Sequence, residues 1–121
     1  MPKTILIVDD SSTMRAMVSD VLRGGGYSVV AAIHGADALK RADGQPVNLV
    51  ITDFNMPVMG GLELIEKLRA KPAFRYTPIL VLTTETEDSV KNRGKAAGAT
   101  GWVTKPFDPA RLLQVVNRLA T

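Results

Sequence analysis

The chain has 121 residues, a formal net charge of +3, 45% hydrophobic residues and no cysteine. This length suits a single domain that buries its own core, and the missing cysteine excludes disulfides, thiolate metal sites and a thiol nucleophile. No apolar run approaches the ~20 residues of a membrane span, no signal-peptide pattern opens the chain, and the scattered Lys and Arg lack the aromatic company of a nucleic-acid surface.

The expectation is therefore a soluble, cytoplasmic monomer with no nucleic-acid or membrane partner. Strand-like and helix-like periods then alternate five times, which predicts an α/β fold with a parallel sheet covered on both faces. The first strand, Thr4–Val8, closes on Asp9 and Asp10. Ser11 and Ser12 are cap residues, and Met14, Met17, Val18, Val21 and Leu22 follow as an amphipathic stripe. Gly24, Gly25 and Gly26 stop this helix, because glycine tolerates the left-handed turn after a helix end. Tyr27–Ala32 reads as a less apolar edge strand, and Ala36, Leu39 and Ala42 mark a short second helix in which His34, just ahead of it, is a solvated loop residue. Asp43-Gly44-Gln45-Pro46 is a turn.

Val47–Asp53 is a run of branched apolar residues that ends on an acid, the pattern of a buried strand. After the loop Phe54-Asn55-Met56-Pro57, Gly60-Gly61 opens a third helix with Leu64, Ile65 and Leu68 inward and Glu63–Lys67 as a surface pair. Lys71-Pro72 ends it. Pro78–Leu82 is almost wholly apolar and so covered on both faces, with Thr83 at its tip. The fourth helix, Asp88–Ala97, offers only Val90, Gly94 and Ala97 to the core. An interior glycine costs about 1 kcal/mol relative to alanine, so this helix is expected to be loosely held. Gly101–Thr104 is a short fifth strand followed by Lys105. Asp108-Pro109 starts a last helix that buries Leu112, Val115, Val116 and Leu119, and residues 1–121 make one domain.

Doubly wound sheets of five parallel strands have two common orders. In the order 2-1-3-4-5, strands one and three are neighbours where the winding reverses. Asp9 and Asp10 then lie beside Asp53, with Thr83 and Lys105 delivered to the same mouth, where open α/β sheets hold their ligands. Asp53 alone could equally cap a turn. The convergence of residues from four strand ends is what makes it a candidate.

Val8-Asp9-Asp10-Ser11, Asp53-Phe54-Asn55-Met56-Pro57, Leu82-Thr83-Thr84-Glu85 and Gly101-Trp102-Val103-Thr104-Lys105-Pro106-Phe107 resemble the receiver domain of two-component response regulators, and the resemblance covers the whole chain. Among receivers the chain is similar to the stand-alone chemotaxis (CheY-like) type, on Asn55 and Glu85 beside the site and the absence of an output domain. The resemblance implies a flavodoxin-like (βα)5 fold with strand order 2-1-3-4-5. It implies a signalling switch, not an enzyme, that assists its own phosphotransfer and dephosphorylation.

By the same resemblance Asp53 is the phosphoacceptor. Mg2+ is ligated by Asp10, Asp53 and the backbone carbonyl of Asn55, while Asp9 holds a coordinated water. Thr83 and Lys105 contact the phosphoryl group, and Asn55 and Glu85 tune dephosphorylation. Trp102 stands where the family has a switch aromatic, more commonly tyrosine or phenylalanine, and Gly60 stands where an aspartate is common. The face made by the fourth helix, fifth strand and fifth helix is the implied output surface, with Lys91, Lys95, Trp102 and Arg111 as contacts. The implied partners are a histidine kinase, docking at the first helix, and a downstream target such as the flagellar motor switch. The Lys105–Pro106 bond is implied to be cis.

Other readings share parts of this pattern. A stand-alone receiver could act as a phosphate sink or in a phosphorelay outside chemotaxis. An aspartyl-phosphate phosphatase needs an acid two residues beyond its nucleophile to serve the leaving group, and that position is Asn55. A flavin or nucleotide module of this topology needs a phosphate cradle in its first loop, where Asp9 and Asp10 would repel phosphate.

Overall fold

Five strands, β1 (Thr4–Val8), β2 (Ser28–Ala32), β3 (Leu49–Asp53), β4 (Ile79–Thr83) and β5 (Gly101–Thr104), alternate with α1 (Ser12–Gly24), α2 (Gly35–Ala42), α3 (Gly61–Arg69), α4 (Asp88–Ala97) and α5 (Pro109–Leu119). This computed structural model describes residues 3–54, 59–84 and 88–120. All four strand pairings are parallel and their order is β2-β1-β3-β4-β5, the flavodoxin-like arrangement expected. Every strand therefore ends at the same rim of the sheet.

Alternation along the central strands builds two cores, one on each face. Leu6, Val8, Val50, Ile79 and Val81 face α2 and α3, where they meet Ala38, Ala42, Leu64, Ile65 and Leu68. Their neighbours Ile5, Ile7, Leu49, Ile51, Leu80 and Leu82 face α1 and α5, packing on Val18, Leu22, Leu112 and Val116. β4 is buried along its whole length, as its composition predicts for a strand with both faces covered. β2, at the edge, buries fully only Ala32.

The helix ends follow local chemistry. Ser11 accepts from the Met14 amide at the start of α1, and Asp108 accepts from the Ala110 amide with Pro109 in the first turn of α5. After α1 the left-handed residue is Gly26, at φ 91°. There the Tyr27 amide reaches the Leu22 carbonyl and the Gly26 amide reaches Arg23, a paired closure that needs positive φ. α4 ends the same way at Gly98, φ 114°, with Ala99 N–H on Gly94 O and Gly98 N–H on Lys95 O.

Several local expectations change. Met17 is half exposed, because α1 presents Val18, Ser19 and Leu22 to the core, a stripe turned one position from the apolar count. α2 buries Gly35, Ala38 and Ala42 and leaves Ala36 exposed, since positions 35, 38 and 42 share one helix face and 36 turns away from it. His34 is the N-cap of α2, its Nδ1 accepting from the Asp37 amide at 3.1 Å, so it has a structural task. Among the described residues Glu63 and Lys67 make no ion pair, as befits long exposed side chains whose ordering entropy offsets a weak attraction. The Val90 side chain lies outside what the structure describes.

Candidate functional site

β1 and β3 pair in register with Val8 opposite Thr52, so the next residue of each strand, Asp9 and Asp53, emerges at the same level. One carboxylate oxygen from each of Asp9, Asp10 and Asp53 lies within 4.8 Å of the others. Asp9 is buried, Asp10 exposed and Asp53 between them. β4 brings Thr83 to this rim, 1% exposed. Lys105 arrives from beyond β5, its amide bonded to the Thr83 carbonyl at 2.7 Å. The Lys105–Pro106 peptide is cis, as the resemblance implies.

Lys105 Nζ lies 3.1 Å from Asp53 Oδ1 and 3.5 Å from Asp9 Oδ2, a single cation shared by two acids. Asp9 Oδ1 takes the Ser11 amide at 2.9 Å, and Asp53 Oδ1 takes the Phe54 amide at 2.9 Å. Oδ1 of Asp53 is thus the occupied oxygen. No hydrogen bond among the described residues engages its Oδ2. Burial pushes the Asp9 carboxyl above its ordinary value, and the Asp53 charge adds to this against the opposing pull of the Ser11 amide and Lys105. One lysine beside three acids leaves a surplus of negative charge at this mouth.

This donor set fits a hard divalent cation. Mg2+ takes oxygen ligands at about 2.1 Å in an octahedron, which sets ligand oxygens about 3 to 4 Å apart. The carboxylate oxygens already lie within 4.8 Å of one another, so small rotations suffice. Asn55 and Glu85 lie outside the described residues.

A glycine lies against the end of β3. Gly61 donates its amide to the Phe54 carbonyl at 2.9 Å, and a Cβ on Gly61 would meet the Asp53 carbonyl oxygen at 2.6 Å. Only glycine lets α3 begin this close to the acid-bearing strand end. On the other side Arg15 of α1 donates to the Asp9 carbonyl at 2.7 Å, holding the backbone from which Asp9 projects. Neither role carries a motif. Gly61 was legible only as a helix opener, and the acceptor of Arg15 is a main-chain atom.

Of the four residues expected at the output face, Lys91, Lys95 and Arg111 are arranged around the fourth, Trp102. Lys91 and Lys95, one turn apart on α4, line a 210 Å³ hollow with Trp102. Arg111 lines an adjacent 310 Å³ hollow with Trp102, Phe107 and Asp108. The half-buried Trp102 packs against the core between the sheet and α2–α4, its ring centroid 5.9 Å from that of Phe54 and tilted by 48°. The residue after Asp53 therefore touches the aromatic at the centre of this face.

Comparison with known proteins identifies the family and the fold. The response regulator receiver domain family matches residues 5–117. The chemotaxis protein CheY1 of Helicobacter pylori is 40% identical over 107 residues, covering 87% of this chain and 86% of that protein. The crystallised chemotaxis protein CheY4 of Vibrio cholerae superposes with a TM-score of 0.95 at 44% identity, covering 98% of this chain and 99% of that one. The receiver domain of a Pseudomonas aeruginosa sensor histidine kinase, solved with a magnesium ion coordinated in its active site cleft, gives 0.91 at 27% identity, covering 99% and 98%.

Proposed function

Because the chain belongs to the response regulator receiver domain family, a family of signalling domains, we propose that it is a phosphorylation-activated switch of the chemotaxis type whose phosphoacceptor is Asp53. The observation that carries this reading is the meeting of Asp9, Asp10 and Asp53 beside a lysine that touches two of them. Asp53 Oδ2 attacks the phosphorus of a phosphohistidine on a partner kinase. The bond from phosphorus to one imidazole nitrogen breaks with its electron pair going to the ring, and the imidazole, already protonated on its other nitrogen, leaves as the neutral ring. Lys105 moves from the carboxylates to the incoming phosphoryl oxygens as a compact cation, and the Thr83 hydroxyl donates to the same group.

Asp10 and Asp53, with the backbone carbonyl of Asn55, would hold Mg2+, and Asp9 would hold one of its waters. The ion would neutralise charge that gathers as phosphoryl transfer proceeds. The same groups serve hydrolysis of the acyl phosphate, with Asn55 and Glu85 setting its rate. A target such as a flagellar motor switch protein, meeting the α4–β5–α5 face at Lys91, Lys95, Trp102 and Arg111, shifts the equilibrium by its preference for the modified form. A cytoplasmic setting goes with this reading, and among the described residues no helix is long and apolar enough to cross a membrane.

Incubation with Mg2+ and a small acyl phosphate, followed by intact-mass analysis, is expected to add one phosphoryl group to the wild type and none to Asp53→Asn. Equal labelling of the two proteins would overturn the assignment.

A further inference from the structure

α4 carries a glycine in its interior where helix propensity argues against one, and the structure gives that glycine a neighbour. Gly94 is buried. A Cβ built on it would lie 2.4 Å from Trp102 Cζ3, 3.2 Å from Cη2 and 3.3 Å from Cε3. The benzo edge of the indole thus rests on bare helix backbone. The contact is with the rigid end of a ring, not with a flexible tip, so a side chain at 94 has to displace the indole or the helix. Gly94 has no positive φ, so backbone conformation does not demand glycine there. Only the indole does.

The two sides of this contact differ in freedom. Gly94 O is the acceptor of the closure that ends α4, and the Gly98 carbonyl beyond it is held by Arg69 Nε at 3.1 Å and Nη2 at 2.8 Å. The helix turn beneath the indole is therefore anchored at the rim opposite the acids. A second neighbour of the indole, Phe54, follows the phosphoacceptor directly, and its amide bonds the Asp53 carboxylate. Trp102 lies between a residue that senses Asp53 and a helix turn fixed from behind, and it also forms the wall shared by the two hollows of the output face.

Building on the receiver reading above, we propose that Gly94 is a positioning residue for the output face. By lacking a side chain it seats the Trp102 indole under α4, so that the indole and the helix move only together. A tryptophan at this strand position and a glycine at 94 are then a matched pair, and the shape of both hollows follows from the seat. A change at Asp53 reaches the face by moving Phe54 against the indole.

The test is a double-mutant cycle on the full chain. Helix propensity alone says that Gly94→Ala stabilises. With Trp102 present, Gly94→Ala is expected to lower the melting temperature. In a Trp102→Val background the same change is expected to raise it, a reversal of sign that defines the coupling. Since Trp102 is the sole tryptophan, its emission in Gly94→Ala should shift to longer wavelength with greater quenching by acrylamide. The emission change on phosphorylation should also shrink. If Gly94→Ala alone fails to fold, rescue by Trp102→Val supports the seat and failure of rescue overturns it. Effects of the same sign and size in both backgrounds, with unchanged emission, also overturn it. The thermal cycle needs no phosphoryl group, so a wild type that takes up none would sink the receiver reading while leaving the seat to be judged on its own.

Discussion

The two rims of the sheet are built on opposite electrostatic plans. At the rim where the strands end, three carboxylates crowd one lysine. At the rim where they begin, one guanidinium satisfies a set of main-chain oxygens. Arg69, the last residue of α3, donates to the carbonyls of Phe74 at 2.7 Å and Thr77 at 2.6 Å ahead of β4, and to Gly98 behind α4. The Thr100 hydroxyl oxygen, which accepts from the Ile79 amide, is 3.4 Å from its Nη2. Lys3 reaches the Ala120 carbonyl at the same rim, and Lys71 pairs with Asp43 at 2.9 Å. One rim stores repulsion that a ligand can relieve, and the other is closed by internal donors. Placing the strain at one end and the fastening at the other lets the site change its charge without loosening the fold.

Breaking the fastened rim should give the largest thermal effect. Arg69→Gln strands several half-buried carbonyls, each worth 1 to 3 kcal/mol if left unpaired, but water recovers part of this, so a loss of about 3 kcal/mol is expected. For a chain of this size that is roughly a 10 °C fall in melting temperature. Arg69→Lys should recover little, because an ammonium cannot span acceptors on both sides of the fork. Melting temperatures within a degree or so of wild type for Arg69→Gln would remove this rim's claim to stability.

Relieving the crowded rim should do the opposite and by less. Two like charges ~4 Å apart repel by about 4 kcal/mol at an effective dielectric near 20, a ceiling that solvent and Lys105 reduce. In chelator, Asp10→Asn is expected to raise the melting temperature by a few degrees, an effect of about 1 kcal/mol. Asp53→Asn should gain less, since it also gives up a contact to Lys105. Mg2+ should stabilise the wild type by mass action and have little effect on either variant. Both variants melting below wild type without metal would contradict the stored repulsion.

The smallest effect belongs to the start of α2. Asp37 accepts from the Ile33 amide at 3.0 Å and pairs with Arg41 at 3.0 Å, and these partners, the amide foremost, hold its carboxyl below the ordinary value of 3.8. A depressed folded value means the contribution is fully present above 3.8 and disappears as pH falls through the lower folded value. Asp37→Asn should therefore cost under about 1 kcal/mol at neutral pH. The gap to wild type should close in acid. A gap that stays constant down to pH ~2 would show that charge is not its source.

Much of this was legible in the sequence, and the exceptions share a cause. The bounds of α4 and β5 follow from apolar period and turn residues, whereas the order of the sheet, one of two common orders, came with the family resemblance. The gathering of Asp9, Asp10, Asp53, Thr83 and Lys105 follows from strand ends, because parallel winding sends every strand end to one rim. The exposed Met17 was not legible, since the angle at which α1 meets the sheet and α5 decides which neighbour of Val18 turns inward. Nor was Arg69, whose acceptors are backbone oxygens up to 29 residues away and carry no residue signature. Gly94 was visible only as a weakness of α4. The indole that a side chain there would meet sits on β5.

The most direct test of the shared acidic mouth is phosphoryl uptake from a small acyl phosphate as Mg2+ is titrated, compared between wild type and Asp10→Asn. Asp10→Asn leaves Asp53 and Lys105 in place. Wild-type uptake should rise with Mg2+ and saturate, and that of Asp10→Asn should stay low or need far more of the ion. Uptake that proceeds equally in chelator, or that is indifferent to residue 10, would contradict the claim that β1 and β3 bring their acids to one ion beside the nucleophile.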